Sequence, residues 1–345
     1  MNIEASHTEY RGAIHIHSRY SDGSGSVKTI VAAARRTGLD FIIITDHDTV
    51  RAKREGWEGW HDGVLVMVGV EISPPGGGHC LAWGVRHCAG IKTKAPREYL
   101  GIIGDQCGEA FLAHPQGKDT PFLRGRIERW ADWDLDTFAG IEAWSYMHNW
   151  VEGLGFKNFV RAMRRPEERI TGPTVEVLRH WDEIGRRRRL VGIAGLDVHA
   201  QRLPLTWLRI FSYDYLFRTL RTHILTPPFT GRYEEDQRLL REALRTGRCF
   251  MADDLPADST GFVFRGVKAD GSVISMGAEV PWQSGVEIEV ATPHKAKIGL
   301  VHDGRLLCSH VGQRLVGHAP APGVYRAEVF LEGRPWVFSN PLYLR

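Results

Sequence analysis

The chain has no long apolar run. None of its segments approaches the roughly 20 residues that cross a bilayer as a helix, so no membrane-spanning helix is expected. It also lacks an excess of charge: 44 Lys and Arg against 41 Asp and Glu leave +3, with histidines neutral. That is too little to point to nucleic acid, and the four consecutive arginines from Arg186 to Arg189 read as a solvated helix end facing the helix dipole. Cysteine is scarce. Cys80, Cys88, Cys107, Cys249 and Cys308 are odd in number and show no Cys-x-x-Cys spacing. This argues for reduced thiols and against a disulfide framework or a thiolate zinc site. The first residues lack a basic segment followed by an apolar one, so no signal peptide is read and the expected location is cytoplasmic. No convincing Gly-x-Ser-x-Gly elbow, repeat or low-complexity segment is present.

Potential metal donors, by contrast, are plentiful. His15, His17, Asp22, His47, Glu71, His79, His114, Asp197 and His199 all lie at or near the ends of short apolar runs. In His15-Ile16-His17 the two histidines are one residue apart, and positions i and i+2 of a strand share a face. Both imidazoles are therefore expected to point one way, with Ile14 and Ile16 in the packing layer behind. Asp197 and His199 repeat that spacing after the run 190–194. His47 follows 41–45, Glu71 follows 64–68 and His114 follows 110–113, while His79 comes after a Pro-Pro-Gly-Gly-Gly segment.

The surrounding pattern alternates strands and helices. Residues 26–37 read as a helix, with Val27, Ile30, Val31 and Ala34 on one face and Gly38 as its stop. Strands are expected at 41–45, 64–70, 81–85, 110–113, 140–143, 191–194 and 208–211, and further helices at 96–107, 158–163, 174–186 and 234–245. Such alternation argues for a parallel α/β sheet or barrel, in which functional residues gather at the C-terminal strand ends. Beyond Pro256 the texture changes to short alternating runs at 262–264, 286–290, 297–301, 324–330 and 336–338, with Asp-Gly and Glu-Gly turns between some of them. The expected organisation is an α/β barrel domain over 1–255 and a small antiparallel β-sandwich over 256–345. His294, His302, His310 and His318 fall in the latter and read as isolated surface histidines.

These motifs match a family. His15-Ile16-His17 with Ser21-Asp22-Gly23, then Thr45-Asp46-His47, Glu71, His114-Pro115 and Asp197-Val198-His199 resemble the ordered motifs of the PHP (polymerase and histidinol phosphatase) superfamily over roughly residues 10–215. The tail, Gly323-Val324-Tyr325-Arg326 and Trp336 through Tyr343, is similar to the C-terminal domain of the CehA/McbA-like branch. Ser18 stands where a threonine is common, and Leu196 and Val198 where smaller residues are. The resemblance implies a distorted (β/α)7 barrel with two or three metal ions at its C-terminal mouth. By position, His15, His17, Glu71 and Asp197 would hold the first, Glu71, His79 and His114 the second, and Asp22, His47 and His199 the third.

Imidazole and carboxylate donors without thiolate suit Zn, Mn or Fe. Glu71 is the natural bridging carboxylate, and two ions about 3.5–4 Å apart acidify a shared water and clamp the reacting oxygens. The expected function is metal-dependent hydrolysis of a small phosphate ester by an activated hydroxide. Glu71, Asp197 and Asp46 are the expected catalytic residues, Asp46 acting beside His47 as an orienter of ligands. Arg19, Arg124 and Arg202 are candidates to meet a phosphate, Glu142 to touch substrate or water, and Trp144 and Tyr146 to line the pocket or pack the core. Hydrolysis of a carbamate, ester or amide is the alternative, because the same hydroxide attacks a carbonyl; phosphate calls for cations nearby, an aromatic leaving group for an apolar pocket. A non-catalytic module that keeps its metals is a third reading, against which the intact donor set argues. The weak net charge argues against nucleic acid as partner.

Overall fold

The computed structural model describes residues 7–116, 129–201 and 210–345. Its sites are set by a ring of short strands. Strand Thr8–Ile16 pairs in parallel with Phe41–Ile44, and that in parallel with Val64–Val68. Beyond Gly69 the chain starts a second run, Val70–Ile72, Cys80–Trp83, Glu109–Leu112, Gly140–Ser145 and Val191–Gly195. The first two steps of this run are antiparallel and the last two parallel. Bridges at Ile16–Val198 and His47–Glu71, with Gly69 N–H donating to Ile44 O (2.7 Å) and Leu196 N–H to Ile14 O (3.0 Å), join the two runs at both ends. The strand–helix alternation is interrupted here: no helix separates Val70–Ile72 from Cys80–Trp83.

Most of these strands are buried on both faces, so they read as continuous apolar runs. Ile14, Ile43, Met67, Leu81, Phe111 and Ile193 pack with Leu240 and Leu244 of helix Tyr233–Thr246. Ala13, Ile42, Val66 and Ala194 join Ile30, Leu100 and Trp181 of the flanking helices instead. Helix Val27–Arg36 starts where the Ser26 hydroxyl accepts from Thr29 N–H, a cap that contributes about 1 kcal/mol. Trp144 and Tyr146 are fully buried and serve the core, the indole donating to Asn149 and the phenol meeting Tyr215.

The C-terminal strands are mostly antiparallel, with Glu279–Val280 and Leu342–Leu344 paired in parallel, and they share a ladder with the first part. Leu220–Thr226 pairs with both Thr8–Ile16 and Cys249–Asp253, and the latter pairs with Arg334–Ser339. The expected runs 286–290 and 297–301 belong to one 16-residue strand, Glu287–His302, whose register slips between Ala291 and Ala296. Of the expected strand at 208–211, residues 208 and 209 lie outside the described residues, and Ile210 and Phe211 are not in a strand. Among the arginines 186–189, Arg186 and Arg188 are tied down, donating to Asp303 O and Phe138 O. No described helix is long and apolar enough to cross a membrane, and the described cysteines are all unpaired.

A buried polar clamp ties strand Leu220–Thr226 and the residues after Cys249–Asp253 to the first strand. His223, wholly buried, puts Nδ1 2.7 Å from Glu9 Oε1 and Nε2 3.0 Å from Asp254 Oδ2. Arg221 adds a bond to Asp254 at 3.2 Å, and Arg11 meets Asp258 alongside at 3.6 Å. Burial opposes charge on His223, but Asp254 and Glu9 outweigh it and raise its pKa above 6.5. Burial likewise opposes ionised Asp254, yet His223 brings it down from 3.8 to about 2. The histidine's contribution is complete below pH 6.5 and fades as pH rises through its raised value. The aspartate's is complete above pH 3.8 and fades as pH falls toward 2. His223→Gln should thus destabilise by about 2–4 kcal/mol near pH 5, and by less at pH 9. A gap between the two unfolding curves that does not narrow at high pH would contradict the clamp.

Candidate metal centre

His15 does not sit in a regular strand. Its φ is +66°, and the register with Phe41–Ile44 shifts between Ile14 and Ile16. This bulge sends Ile14 and Ile16 into two different apolar clusters, so the expectation that both face one layer fails. It still brings the rings of His15 and His17 together, with centroids 5.1 Å apart. Asp197 (φ +53°) and His114 (φ +29°) are also left-handed. Non-glycine residues hold such conformations at a cost of about 1–3 kcal/mol each, and three of them at one site mark a functional constraint.

The nine expected residues converge in three overlapping groups of donors, and a fourth group joins His114 and Asp197 to His148. In the deepest, Glu71 Oε2 lies 3.2 Å from His15 Nε2 and 3.3 Å from His17 Nε2, and Asp197 Oδ1 lies 3.4 and 3.2 Å from the same nitrogens. The other Glu71 oxygen meets His79 Nδ1 at 2.8 Å and His114 Nε2 at 3.2 Å. At the rim, Asp22 Oδ1 is 3.2 Å from His199 Nε2 and 3.7 Å from His47 Nε2. Glu71 therefore faces two groups at once, one through each oxygen. Among the described residues, His15 Nε2, His17 Nε2 and Glu71 Oε2 are buried without any hydrogen-bond partner, and buried nitrogen and oxygen donors converging on one point are a fit for cations.

Several ligand rings are oriented from behind. Glu142 Oε2 accepts from His15 Nδ1 at 2.8 Å and from the His114 amide at 3.1 Å. Ser73 Oγ is 2.7 Å from His47 Nδ1, and Asp197 O 3.0 Å from His199 Nδ1. Asp46 holds the loop that carries Asp22, accepting from Ser18 N–H (2.7 Å), Ser18 Oγ (2.6 Å) and Ser21 Oγ (2.7 Å). Gly23 closes that loop so tightly that a Cβ would sit 2.1 Å from His17 O.

Two expectations need correction. Glu142 is buried against His15 and acts by positioning it, not by touching substrate. The Asp46 carboxylate is committed to Ser18 and Ser21, which makes it a positioning residue and not a catalytic one. Arg19 is exposed beside His17, with no side-chain partner among the described residues. Arg124 and Arg202 lie outside the described residues.

One residue escaped the sequence reading. His148, on helix Tyr146–Val151, stacks on His114 with centroids 4.0 Å apart and joins His114 and Asp197 as a possible donor group. Its signal was modest: it lies three residues past the end of strand Gly140–Ser145, whereas its neighbours Trp144 and Tyr146 drew the attention as aromatics.

The electrostatics of the metal-free cluster follow from these contacts. Burial opposes charge on His17, but Asp197 and Glu71 outweigh it and raise its pKa from 6.5 to about 9. Burial also works against His15, which Glu142, Glu71 and Asp197 hold well above the ordinary range. Burial would raise Glu71, yet His15 and His114 keep it well below the usual carboxylate range. Both imidazoles thus carry protons at neutral pH that a metal must displace. Apparent affinity should rise with pH up to about 9, by roughly tenfold per unit for each displaced proton. Zinc titration calorimetry in buffers of different ionisation heat reads the proton count; a pH-independent affinity would contradict it.

Residues 13–75 match the PHP domain. The matched PHP stretch holds His15, His17, Asp22, His47 and Glu71, while the other donors lie beyond it. An uncharacterized protein of Methanocaldococcus jannaschii is 29% identical over 150 residues, which cover 39% of this chain and 81% of that protein. A two-domain Bacteroides vulgatus protein containing a predicted PHP-like metal-dependent phosphoesterase is 17% identical, with a TM-score of 0.49 over 97% of this chain and 96% of that one. PsfC of Pseudomonas syringae is 13% identical, with a TM-score of 0.41 over 69% of this chain and 88% of that one.

Proposed function

We propose that the chain is a metal-dependent hydrolase of the PHP type, acting on a small phosphate ester with two or three divalent ions, Zn, Mn or Fe. The observation that carries this reading is the buried meeting of His15 Nε2, His17 Nε2 and Glu71 Oε2, none of which has a hydrogen-bond partner. His15, His17, Glu71 and Asp197 would hold the first ion, Glu71, His79 and His114 the second, and Asp22, His47 and His199 the third, in the PHP arrangement of a distorted (β/α)7 barrel mouth. Such ions would acidify a water and neutralise charge on the reacting oxygens. The protein's own part is to keep that geometry rigid. Glu142 fixes the His15 ring, Asp46 fixes the Asp22 loop, and Glu71 presents one oxygen to each of two sites. Residues 1–255 would form the catalytic unit, with 256–345 as its accessory unit.

A second reading is favoured by one observation. Beside Asp197, His199 and His148 opens a cavity of about 390 Å³, walled by Trp150, Leu154, Phe159, Ile210 and Leu216. Among the described residues, no lysine or arginine lines it. Such a wall suits an apolar leaving group better than an anion, as in an aryl ester or carbamate, and agrees with the CehA/McbA-like tail. Assays with p-nitrophenyl phosphate, bis-p-nitrophenyl phosphate and 1-naphthyl methylcarbamate separate the readings. We expect chelator-sensitive turnover of a phosphate substrate. Turnover of the carbamate alone would replace the first reading by the second, and bound metal without any hydrolysis would leave a binding module.

A further inference from the structure

Behind the second candidate site lies a cavity of about 20 Å³ whose wall includes His114, Glu142, Ser145 and His148. Each of these residues carries a buried polar atom without a partner: His114 Nδ1, Glu142 Oε1, Ser145 Oγ and His148 Nδ1. Buried polar atoms are nearly always hydrogen-bonded, so four unmatched ones around one small space belong together. A cavity of about 10–15 Å³ holds one water, provided roughly two to four polar groups surround it. Both conditions are met.

We propose that this cavity takes one ordered water which orients His114, making Ser145 and His148 positioning residues of the metal centre. The proposal rests on the metal reading above. A ligating imidazole directs its second nitrogen to a carboxylate, a carbonyl or a water. His15 does so directly, through Glu142 Oε2 at 2.8 Å, and His199 through Asp197 O at 3.0 Å. His114 turns Nε2 to Glu71 and has no protein partner for Nδ1. Glu142 spends Oε2 on the His15 ring and the His114 amide and keeps Oε1 in reserve. One water accepts from His114 Nδ1–H and donates to Glu142 Oε1, while Ser145 Oγ and His148 Nδ1 fill its remaining positions. The His148 ring, lying 10° from parallel to that of His114, holds it in plane. A single carboxylate then sets two ligands, His15 by contact and His114 through the water.

Two substitutions at Ser145 test this. Ser145→Val removes the hydroxyl and fills the space; Ser145→Ala removes the hydroxyl and leaves room for the water. Zinc is titrated into each metal-free protein against a competing chelator. Ser145→Val is expected to weaken one equivalent of metal by about 10–100-fold, with unfolding of the metal-free protein unchanged, and Ser145→Ala only by a few-fold. Wild-type affinity in Ser145→Val overturns the proposal, and so does a loss in Ser145→Ala equal to that in Ser145→Val. A wild-type protein that takes up no zinc overturns the metal reading instead. Should Ser145→Val fail to fold, a crystal structure of the wild type decides. Density about 3 Å from both His114 Nδ1 and Glu142 Oε1 supports the water, and a dry cavity overturns it.

Discussion

Glu71→Gln is expected to lower kcat/KM by roughly 10⁴-fold, on the scale seen when a residue that acts as part of a unit is removed. The amide keeps the shape of the side chain but not its charge, and it offers one acceptor where the carboxylate offers two. Glu71 Oε2 faces His15 and His17, and Oε1 faces His79 and His114. A glutamine can serve one pair only, so both sites weaken together. The fold should survive, because the amide fills the same buried space and leaves the surrounding packing in place. Metal content, kcat/KM and far-ultraviolet circular dichroism form the check. Near-wild-type turnover in this variant would contradict the bridging role.

Gly195→Ala is the second large effect, and it acts without touching a donor. A Cβ at Gly195 would lie 2.3 Å from Glu142 Oε1 and 2.4 Å from its Cδ. Glu142 is almost fully buried and bonded through Oε2 to the His15 ring and the His114 amide, so it cannot move aside without giving up those bonds. Either it is forced off His15 or the Val191–Gly195 strand moves away. We expect a destabilisation of about 1–3 kcal/mol from overpacking and metal affinity lower by about 10–100-fold from loss of the orienting carboxylate. Chelator competition and thermal unfolding read the two effects separately. Unchanged metal affinity would mean that Glu142 has no part in setting His15.

Much of the site was legible because its donors end apolar runs and apolar runs are what buried strands look like in sequence. Phe41–Ile44 and Val191–Gly195 are fully buried, and His47 and Asp197 follow them within three residues. What stayed hidden has physical reasons. The strand Leu220–Thr226 carries Arg221, Thr222 and His223 in its interior, where the Glu9 and Asp254 carboxylates satisfy Arg221 and His223 and the Ala194 backbone satisfies Thr222; no apolar pattern signals such a strand. Strand Arg305–His318 is exposed along most of its length and shows no alternation. The bulge at His15 comes from a backbone twist that a period of two cannot encode. His148 reaches the cluster from a six-residue helix whose placement depends on packing between Trp150 and Phe211. Glu142 was legible as a strand-end carboxylate, but only the bond to His15 told which way it faces.

Anomalous diffraction from crystals soaked in zinc or manganese tests the central claim most directly. We predict two or three peaks, one of them about 2.0–2.2 Å from His15 Nε2, His17 Nε2 and a Glu71 oxygen. Density only at the exposed Asp22 rim, or none at all, would contradict a buried metal centre built on Glu71.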